Sequence, residues 1–352
     1  MKKYLIIGNG ESPHILKWVN QLAGYFELYL VSSQDTGPKI LEVIPDKRIF
    51  SFHLNVSESG GNVSHIRMVI PLIRIIRKVN PDIVNAHYIT SHGVVAALAK
   101  KISRHPFSLI QSAWGSDILT APFRNGFYKT LTSFALNQAK LATTDSARVA
   151  GIIHTLSGVE TMTFPFGLEH LPGGAPFSKT KDLFFSNRTL NANSNIDRII
   201  HFFNRVLQEN SRARLVIANE GPLKGELMAL AGALGIQDAI EFTGFLSQEK
   251  QQEYYRKARF YFSIPATDAL SVSLLEAMAF GCIPLVSDLP DNREWVTDGI
   301  NGLIFNEHTT PETISVLQER SPEIAGINRD MIARKAIFPD SIELFYKRII
   351  DF

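Results

Sequence analysis

Cysteine is almost missing: Cys282 is the only one in 352 residues. A lone thiol excludes an intrachain disulfide and predicts a cytoplasmic chain with that residue in the core. No apolar run approaches the roughly 20 residues needed to cross a bilayer as a helix. The start, Met1-Lys2-Lys3-Tyr4-Leu5-Ile6-Ile7-Gly8, is only superficially like a secretory leader, because its apolar part is short and runs into a glycine turn. It predicts a first strand instead. Neither a short-period repeat nor a low-complexity tract occurs, which excludes solenoids and fibrous folds. Charge of one sign is scarce as well, with 36 Lys/Arg against 34 Asp/Glu, and no nucleic-acid partner is expected. The halves differ, however. Residues 1–160 hold 17 Lys/Arg and 10 Asp/Glu, a net +7, and the remainder holds 19 and 24, a net −5. A basic first half suits an anionic acceptor or an anionic membrane surface; an ordinary solvated surface is the alternative.

What is present is alternation. Apolar runs read as strands at Tyr4–Ile7, Glu27–Val31, Ile83–Ala86, Phe107–Ser112 and Leu141–Thr144, with helical patterns near 14–24, 65–79, 91–101, 125–139 and 146–155. The second half continues with strands at Asp182–Ser186, Ala213–Ile217, Ile240–Thr243, Arg259–Ile264 and Cys282–Val286. This pattern predicts α/β architecture with doubly wound parallel sheets, in which ligands bind beyond the carboxyl ends of the strands. The length suits two domains of roughly 150–170 residues each.

The most informative stretch is Ile264–Ser287, IPATDALSVSLLEAMAFGCIPLVS. An aromatic strand ends at its start, and Ser271-Val272-Ser273 opens a helix with hydroxyls able to cap free amides. Leu274, Leu275, Met278 and Ala279 form the apolar face, and Gly281 ends the helix. Amides at such a helix start lack intrahelical partners and favour an anion such as a pyrophosphate. Asp268 then lies on the sugar side of that phosphate, and Glu276 is placed to accept from ribose hydroxyls. A capped structural helix with one stray acid is the competing reading.

Asp268-x7-Glu276 followed by Ala277-Met278-Ala279-Phe280-Gly281, with Ser287-Asp288 and Asn301-Gly302-Leu303-Ile304-Phe305 beyond, resembles the carboxylate-x7-Glu signature of the retaining glycosyltransferases of family four. The resemblance extends more weakly over most of the chain. It implies the glycosyltransferase-B fold, two Rossmann-like doubly wound domains facing across a cleft. Residues 1–167 would form an acceptor-binding domain and 168–335 a nucleotide-sugar domain, joined through the Pro/Gly-rich Phe164–Pro176. Residues 336–352 would form a helix returning to the first domain.

The same resemblance distributes the candidate residues. The loop Gly8-Asn9-Gly10-Glu11-Ser12-Pro13-His14 matches a glycine-rich loop that approaches donor or acceptor; it lacks the third glycine of a dinucleotide fingerprint. Gly10 is placed with the donor and His14 with the acceptor, an exposed helix-start histidine being the alternative for the latter. Asn85-Ala86-His87-Tyr88 and Ala113-Trp114-Gly115-Ser116-Asp117 match segments that line the cleft. Trp114 stands where many members have His, which leaves the local contact to the backbone, the indole or Asp117. His87 and Trp114 are placed with the acceptor, and a satisfied core histidine stays open for His87. Asp117 is a candidate sugar or acceptor contact.

Asn187-Arg188 matches Gly-Arg, whose arginine reaches the donor pyrophosphate with a planar, permanently charged fork. Ser194 stands near a lysine position, so that Asn193, Ser194 or Asn195 would give neutral hydrogen bonds instead. Glu220 and Phe245 fall in segments that hold the base, although Phe245 at a strand end also reads as core. Leu270, Ser271, Val272, Ser273 and Glu276 complete the donor set, with Asp268, Arg188 and Asp117 as the catalytic candidates. No metal cluster is visible, and no metal or cofactor beyond the nucleotide-diphosphate sugar is expected.

These expectations add up to a retaining transferase acting on a glycan or lipid-linked acceptor in surface polysaccharide or glycoconjugate synthesis. The basic amphipathic segment His65–Val79 suggests peripheral contact with the inner face of an anionic membrane; a surface helix packed on the sheet is the alternative. Two rivals remain: a nucleotide-sugar epimerase of the same fold, and a non-catalytic sugar-nucleotide binder.

Overall fold

The computed structural model describes residues 1–54 and 63–352. The chain forms two compact units, Met1–Glu169 with Phe338–Phe352, and His170–Ile337.

Among the described residues, the first unit has seven parallel strands: β1 (Lys3–Gly8), β2 (Glu27–Ser32), β3 (Ile49–Ser51), β4 (Ile83–His87), β5 (Ser108–Ser112), β6 (Leu141–Thr144) and β7 (Thr161–Thr163). Their order is β3-β2-β1-β4-β5-β6-β7, so the direction of travel reverses between β1 and β4. Helices cover both faces, and the strands are accordingly apolar almost without alternation; Tyr4, Leu5, Ile6 and Ile7 are all fully buried. Helix Pro13–Leu22 starts on Pro13 with the Ser12 hydroxyl accepting from the His14 amide, and buries Ile15, Trp18, Val19 and Leu22. Trp18 meets the rings of Phe164, Phe166, Phe338 and Phe345 at centroid distances of 5.4–6.0 Å. Helix Phe338–Ile349 thereby belongs to this unit, held through buried phenylalanines that contribute about 2–3 kcal/mol each.

The second unit has six parallel strands: β8 (Thr180–Ser186), β9 (Arg214–Ala218), β10 (Ile240–Gly244), β11 (Ala258–Ser263), β12 (Ile283–Ser287) and β13 (Leu303–Phe305). Their order, β10-β9-β8-β11-β12-β13, reverses between β8 and β11. Loops leaving adjacent strands at such a reversal diverge and leave a crevice. Arg188 follows β8 and Asp268 follows β11, so topology alone brings these two loops together.

The division falls after Glu169 rather than after Gly167, and the chain re-enters the first unit at Phe338 rather than at 336. The cause is local: the Ala336 amide still donates to Ile332, closing helix Ser321–Lys335 of the second unit. Ser91-His92-Gly93 does not open an α-helix. It lies in a π-helical turn, Ile89–Gly93, that precedes helix Val94–Ser103.

Candidate active site

In the second unit, helix Val272–Ala279 is capped by Ser271 in an extended conformation and closed by Gly281 at φ +76°. The Ser271 hydroxyl does not cap the helix amides. It accepts from Arg188 Nη1 at 2.9 Å, while Arg188 Nη2 donates to Asp268 Oδ2 at 2.7 Å. One planar guanidinium thus joins the carboxylate before the helix to the residue at its start. The other Asp268 oxygen accepts from the Ala269 amide at 3.1 Å. Burial raises the Asp268 pKa, and the Arg188 charge and that amide oppose the rise. Leu270 is buried, and Val272, Ser273 and Glu276 are half-buried. Burial suppresses the ionisation of Tyr255 and Tyr261, and the Glu276 charge adds to the effect.

Ser194 and its neighbours serve the loop, which corrects the expectation that they face a pyrophosphate. Ser194 is buried, and its hydroxyl donates to Asn191 Oδ1 at 3.1 Å. Asn193 clamps the Asp268 loop: its amide donates to the Thr267 carbonyl at 3.0 Å and its oxygen accepts from the Thr267 amide at 3.1 Å. Asn195 Nδ2 donates to the Ile264 carbonyl at 2.9 Å. Two neutral side chains, Asn193 and Asn195, therefore fix the strand-to-helix connection that carries Asp268. Glu220 pairs with Lys224 at 2.7 Å, and a Cβ on Gly244 would sit 2.7 Å from the same carboxylate oxygen. Phe245 is 76% exposed, which overturns its reading as core.

The first unit holds a second group of expected residues. Trp114 Nε1 donates to His87 Nδ1 at 3.3 Å, placing the proton of the neutral ring on Nε2. His14 lies against the Trp114 ring at 4.8 Å. His87 is buried, and burial, then the His92 and His14 charges, push its pKa down to about 3. The core-histidine reading therefore describes it, not a group open to an acceptor. His92 is pushed to about 3 as well, by burial and then His65, and its Nδ1 donates to the His87 carbonyl at 2.8 Å.

Asp117 does not face a substrate. It is fully buried, accepting from the Ile89 amide on Oδ2 at 2.7 Å and from the Trp114 amide on Oδ1 at 2.9 Å. Oδ2 ties the β4 loop to the β5 loop, and Oδ1 closes the β5 loop on itself. Burial pushes its pKa up to about 6 in spite of those amides. Tyr88, at φ +75°, is held in this strained conformation by the same region, its hydroxyl 2.6 Å from Ser116 Oγ. Gly10 is likewise a loop-packing residue. Its amide donates to Ser32 Oγ at 2.8 Å, its carbonyl accepts from Gly37 at 2.9 Å, and a Cβ would meet three loop oxygens at 2.9 Å. Among the described residues, no group of three His, Cys, Asp or Glu gathers to hold a metal ion.

Sequence reasoning missed Asn187, Tyr255 and Tyr261. Asn187 adjoins Arg188, which was a signal; Tyr261 was hidden in an apolar strand and Tyr255 in the polar helix Gln248–Lys257.

Residues 3–146 match the family described as glycosyl transferase 4-like, and residues 171–318 match glycosyl transferases group 1. The alpha-monoglucosyldiacylglycerol synthase of Streptococcus pneumoniae is 28% identical over 159 residues, 45% of this chain and 35% of that one, so the match spans about a third of that relative. EpsD of Bacillus subtilis is 24% identical over 309 residues, 82% of this chain and 78% of that one. Among solved structures, Anabaena HepE in complex with UDP and glucose is similar with a TM-score of 0.78 over 100% of both chains at 14% identity. TarM of S. aureus gives 0.75 over 99% of both chains at 10% identity. The two matched families divide the chain between them, one in each unit, and the chain belongs to the group 1, 4-like glycosyltransferases with the glycosyltransferase-B fold.

Proposed function

We propose that the protein transfers a sugar from a nucleotide-diphosphate sugar to a glycan or lipid-linked acceptor, with retention of anomeric configuration. The observation that carries this reading is the Arg188 fork joined to Asp268 and Ser271 at a helix start. In such a transfer, positive charge develops on the sugar and negative charge on the departing diphosphate. Arg188 and the first-turn amides of Ser271, Val272 and Ser273 supply preorganised positive potential for the diphosphate. Asp268 holds sugar hydroxyls and Glu276 the ribose. The HepE structures, which hold UDP, UDP-glucose or UDP with glucose, support a uridine donor. The names of alpha-forming relatives support retention, and the diacylglycerol relatives support a lipid acceptor. The reading needs no metal or cofactor. Its setting is surface polysaccharide or glycoconjugate synthesis on the cytoplasmic side.

A thermal-shift screen of UDP, GDP, dTDP and ADP on wild type and Glu276→Ala tests the donor cradle. At 100 times its dissociation constant a nucleotide stabilises the fold by about 2.7 kcal/mol. One nucleotide is expected to shift the wild type and to lose that shift in Glu276→Ala. Equal responses in both proteins would remove the main support of this reading.

A peripheral membrane site is the second element of the proposal. Helix Val69–Val79 buries Val69, Leu72, Ile73, Ile76 and Val79 and turns Ile70, Arg74, Arg77 and Lys78 outward. Ile66, Phe123 and Phe127 are exposed by 53%, 61% and 70%, with Arg67 and Arg124 beside them. Between residues 63 and 144 the only acids are Asp82 and the buried Asp117. Exposed apolar tips in a stretch where cations outnumber acids suit the headgroup boundary of an anionic bilayer, at about 1 kcal/mol per cation near the surface. No helix among the described residues is long and apolar enough to cross a membrane. The protein is expected to sediment with vesicles containing phosphatidylglycerol and not with phosphatidylcholine alone, and Phe123→Ser with Phe127→Ser to weaken that binding. Equal sedimentation with both vesicle types would refute the site.

A further inference from the structure

The loop that follows Arg188 is anchored from behind. The Leu190 amide donates to the Glu220 carbonyl and the Leu190 carbonyl accepts from the Leu223 amide, both at 3.0 Å. Backbone meets backbone at Gly221, where a Cβ would lie 2.3 Å from the Leu190 carbonyl oxygen. Asn191 then closes the turn Ala192–Ser194, its Oδ1 accepting from the Ser194 amide at 3.2 Å and from the Ser194 hydroxyl at 3.1 Å. The chain leaves through Asn195 at φ +51°, a left-handed conformation that asparagine tolerates, into helix Ile196–Glu209.

That turn presents Asn193 to the two residues before Asp268. The Asn193 carbonyl accepts from the Ala266 amide at 2.8 Å, its Nδ2 donates to the Thr267 carbonyl at 3.0 Å, and its Oδ1 accepts from the Thr267 amide at 3.1 Å. One carboxamide thus serves both the N–H and the C=O of a single residue, as a neighbouring strand would, and leaves that residue little backbone freedom. Asn195 Nδ2 holds the Ile264 carbonyl at 2.9 Å, closer to the end of β11. Arg188 meets the same stretch from the other side, through Asp268 Oδ2. The two grips differ in kind. A long arginine side chain can follow a carboxylate that drifts, whereas two short carboxamides on an anchored turn fix the backbone beneath it.

We propose that Asn193, supported by Asn195, is a positioning residue that sets where the Asp268 carboxylate stands, and that it acts on the sugar of the donor rather than on the nucleotide diphosphate. The inference rests on the donor reading of that site. Its bonds go to Ala266 and Thr267, whereas the diphosphate is assigned to Arg188 and the amides of Ser271, Val272 and Ser273. Loosening the clamp therefore displaces the group that holds sugar hydroxyls and leaves the anion cradle in place. A misplacement on the order of 1 Å is enough to lose such a contact.

The test is calorimetric binding of UDP and GDP, and of UDP-glucose, UDP-N-acetylglucosamine and GDP-mannose, to the full chain and its Asn193→Ala and Asn195→Gly variants. Circular dichroism confirms that each variant is folded. Asn193→Ala is expected to raise the dissociation constant of the sugar conjugate that wild type binds about tenfold, the worth of one hydrogen bond to a charged group, and that of the free diphosphate by less than about twofold. Asn195→Gly keeps the left-handed backbone and removes only the bond to Ile264, so about a threefold rise is expected, again for the conjugate alone. It decides the matter if Asn193→Ala does not fold. Unchanged conjugate affinity, or equal losses for conjugate and free diphosphate, would show a merely structural clamp and overturn the proposal. Wild type that binds a diphosphate but none of the conjugates would overturn it too, since Asp268 would then hold no sugar. If wild type binds none of the five ligands, the donor reading itself falls and this proposal with it.

Discussion

Arg188→Ala is expected to lower turnover of the nucleotide sugar by about 10²–10³-fold, the usual consequence of removing one preorganised stabiliser of a developing anion. Two effects act together. The departing diphosphate loses a permanent charge, and Asp268 loses its ion-pair partner at 2.7 Å. The Asp268 pKa is already raised by burial, with Arg188 opposing the rise, so removing the arginine drives it further up. A carboxyl group held more readily in its protonated form is a poorer acceptor for sugar hydroxyls, and the variant should therefore recover partly as pH increases. Arg188→Lys separates charge from shape. A single ammonium cannot span Ser271 and Asp268 as the fork does, so the lysine variant is expected to keep less than a tenth of wild-type turnover. Release of nucleotide diphosphate from the donor identified by the thermal screen measures both variants. Turnover within threefold of wild type in Arg188→Ala would show that the fork serves only the loop.

The strand-to-helix stretch around Asp268 was legible because its signals are local. An aromatic strand, a serine cap position, an apolar helical face and a glycine at φ +76° all lie within about one helix length of one another, each following from residue type alone. Arg188 was legible by adjacency to a motif. The errors concern residues whose chemistry admits two uses. Asp117, Ser194 and Gly10 are the residue types that bind sugars and phosphates, and they are equally the types that close loops. Only burial and partner distance separate those uses, and both depend on residues far away in sequence: the Tyr261–Asn187 bond spans 74 positions and the Asp117–Ile89 bond 28. The π-helical turn at Ile89–Gly93 was unreadable for the same reason, since the Asp117 carboxylate takes the Ile89 amide.

Asp117→Ala is expected to destabilise the fold by about 2–6 kcal/mol while leaving nucleotide affinity of the folded protein unchanged. Two buried amides, of Ile89 and Trp114, lose their acceptor, at about 1–3 kcal/mol each. Asp117→Asn retains one acceptor and should lose less, and its pH dependence carries the sharper signature. With a folded pKa of about 6 against an unfolded value near 3.9, Asp117 takes up a proton in the folded state first, so between about pH 4 and 6 acid favours folding at this site. His87 and His92 act in the opposite sense. Their folded pKa values of about 3 lie below the unfolded value near 6.5, so the unfolded chain binds more protons between about pH 3 and 6.5 and acid favours unfolding. Two histidines against one carboxyl leave a net of about one proton, or about 1.4 kcal/mol of lost stability per pH unit around pH 5. Removing the carboxyl in Asp117→Asn should double that slope. Denaturant unfolding of wild type and variant at several pH values from 4.5 to 7, on the order of the window set by these groups, reads it directly. Parallel stability profiles in the two proteins would mean that the Asp117 carboxyl does not change its ionisation on folding, and that the tie between the β4 and β5 loops works without its charge.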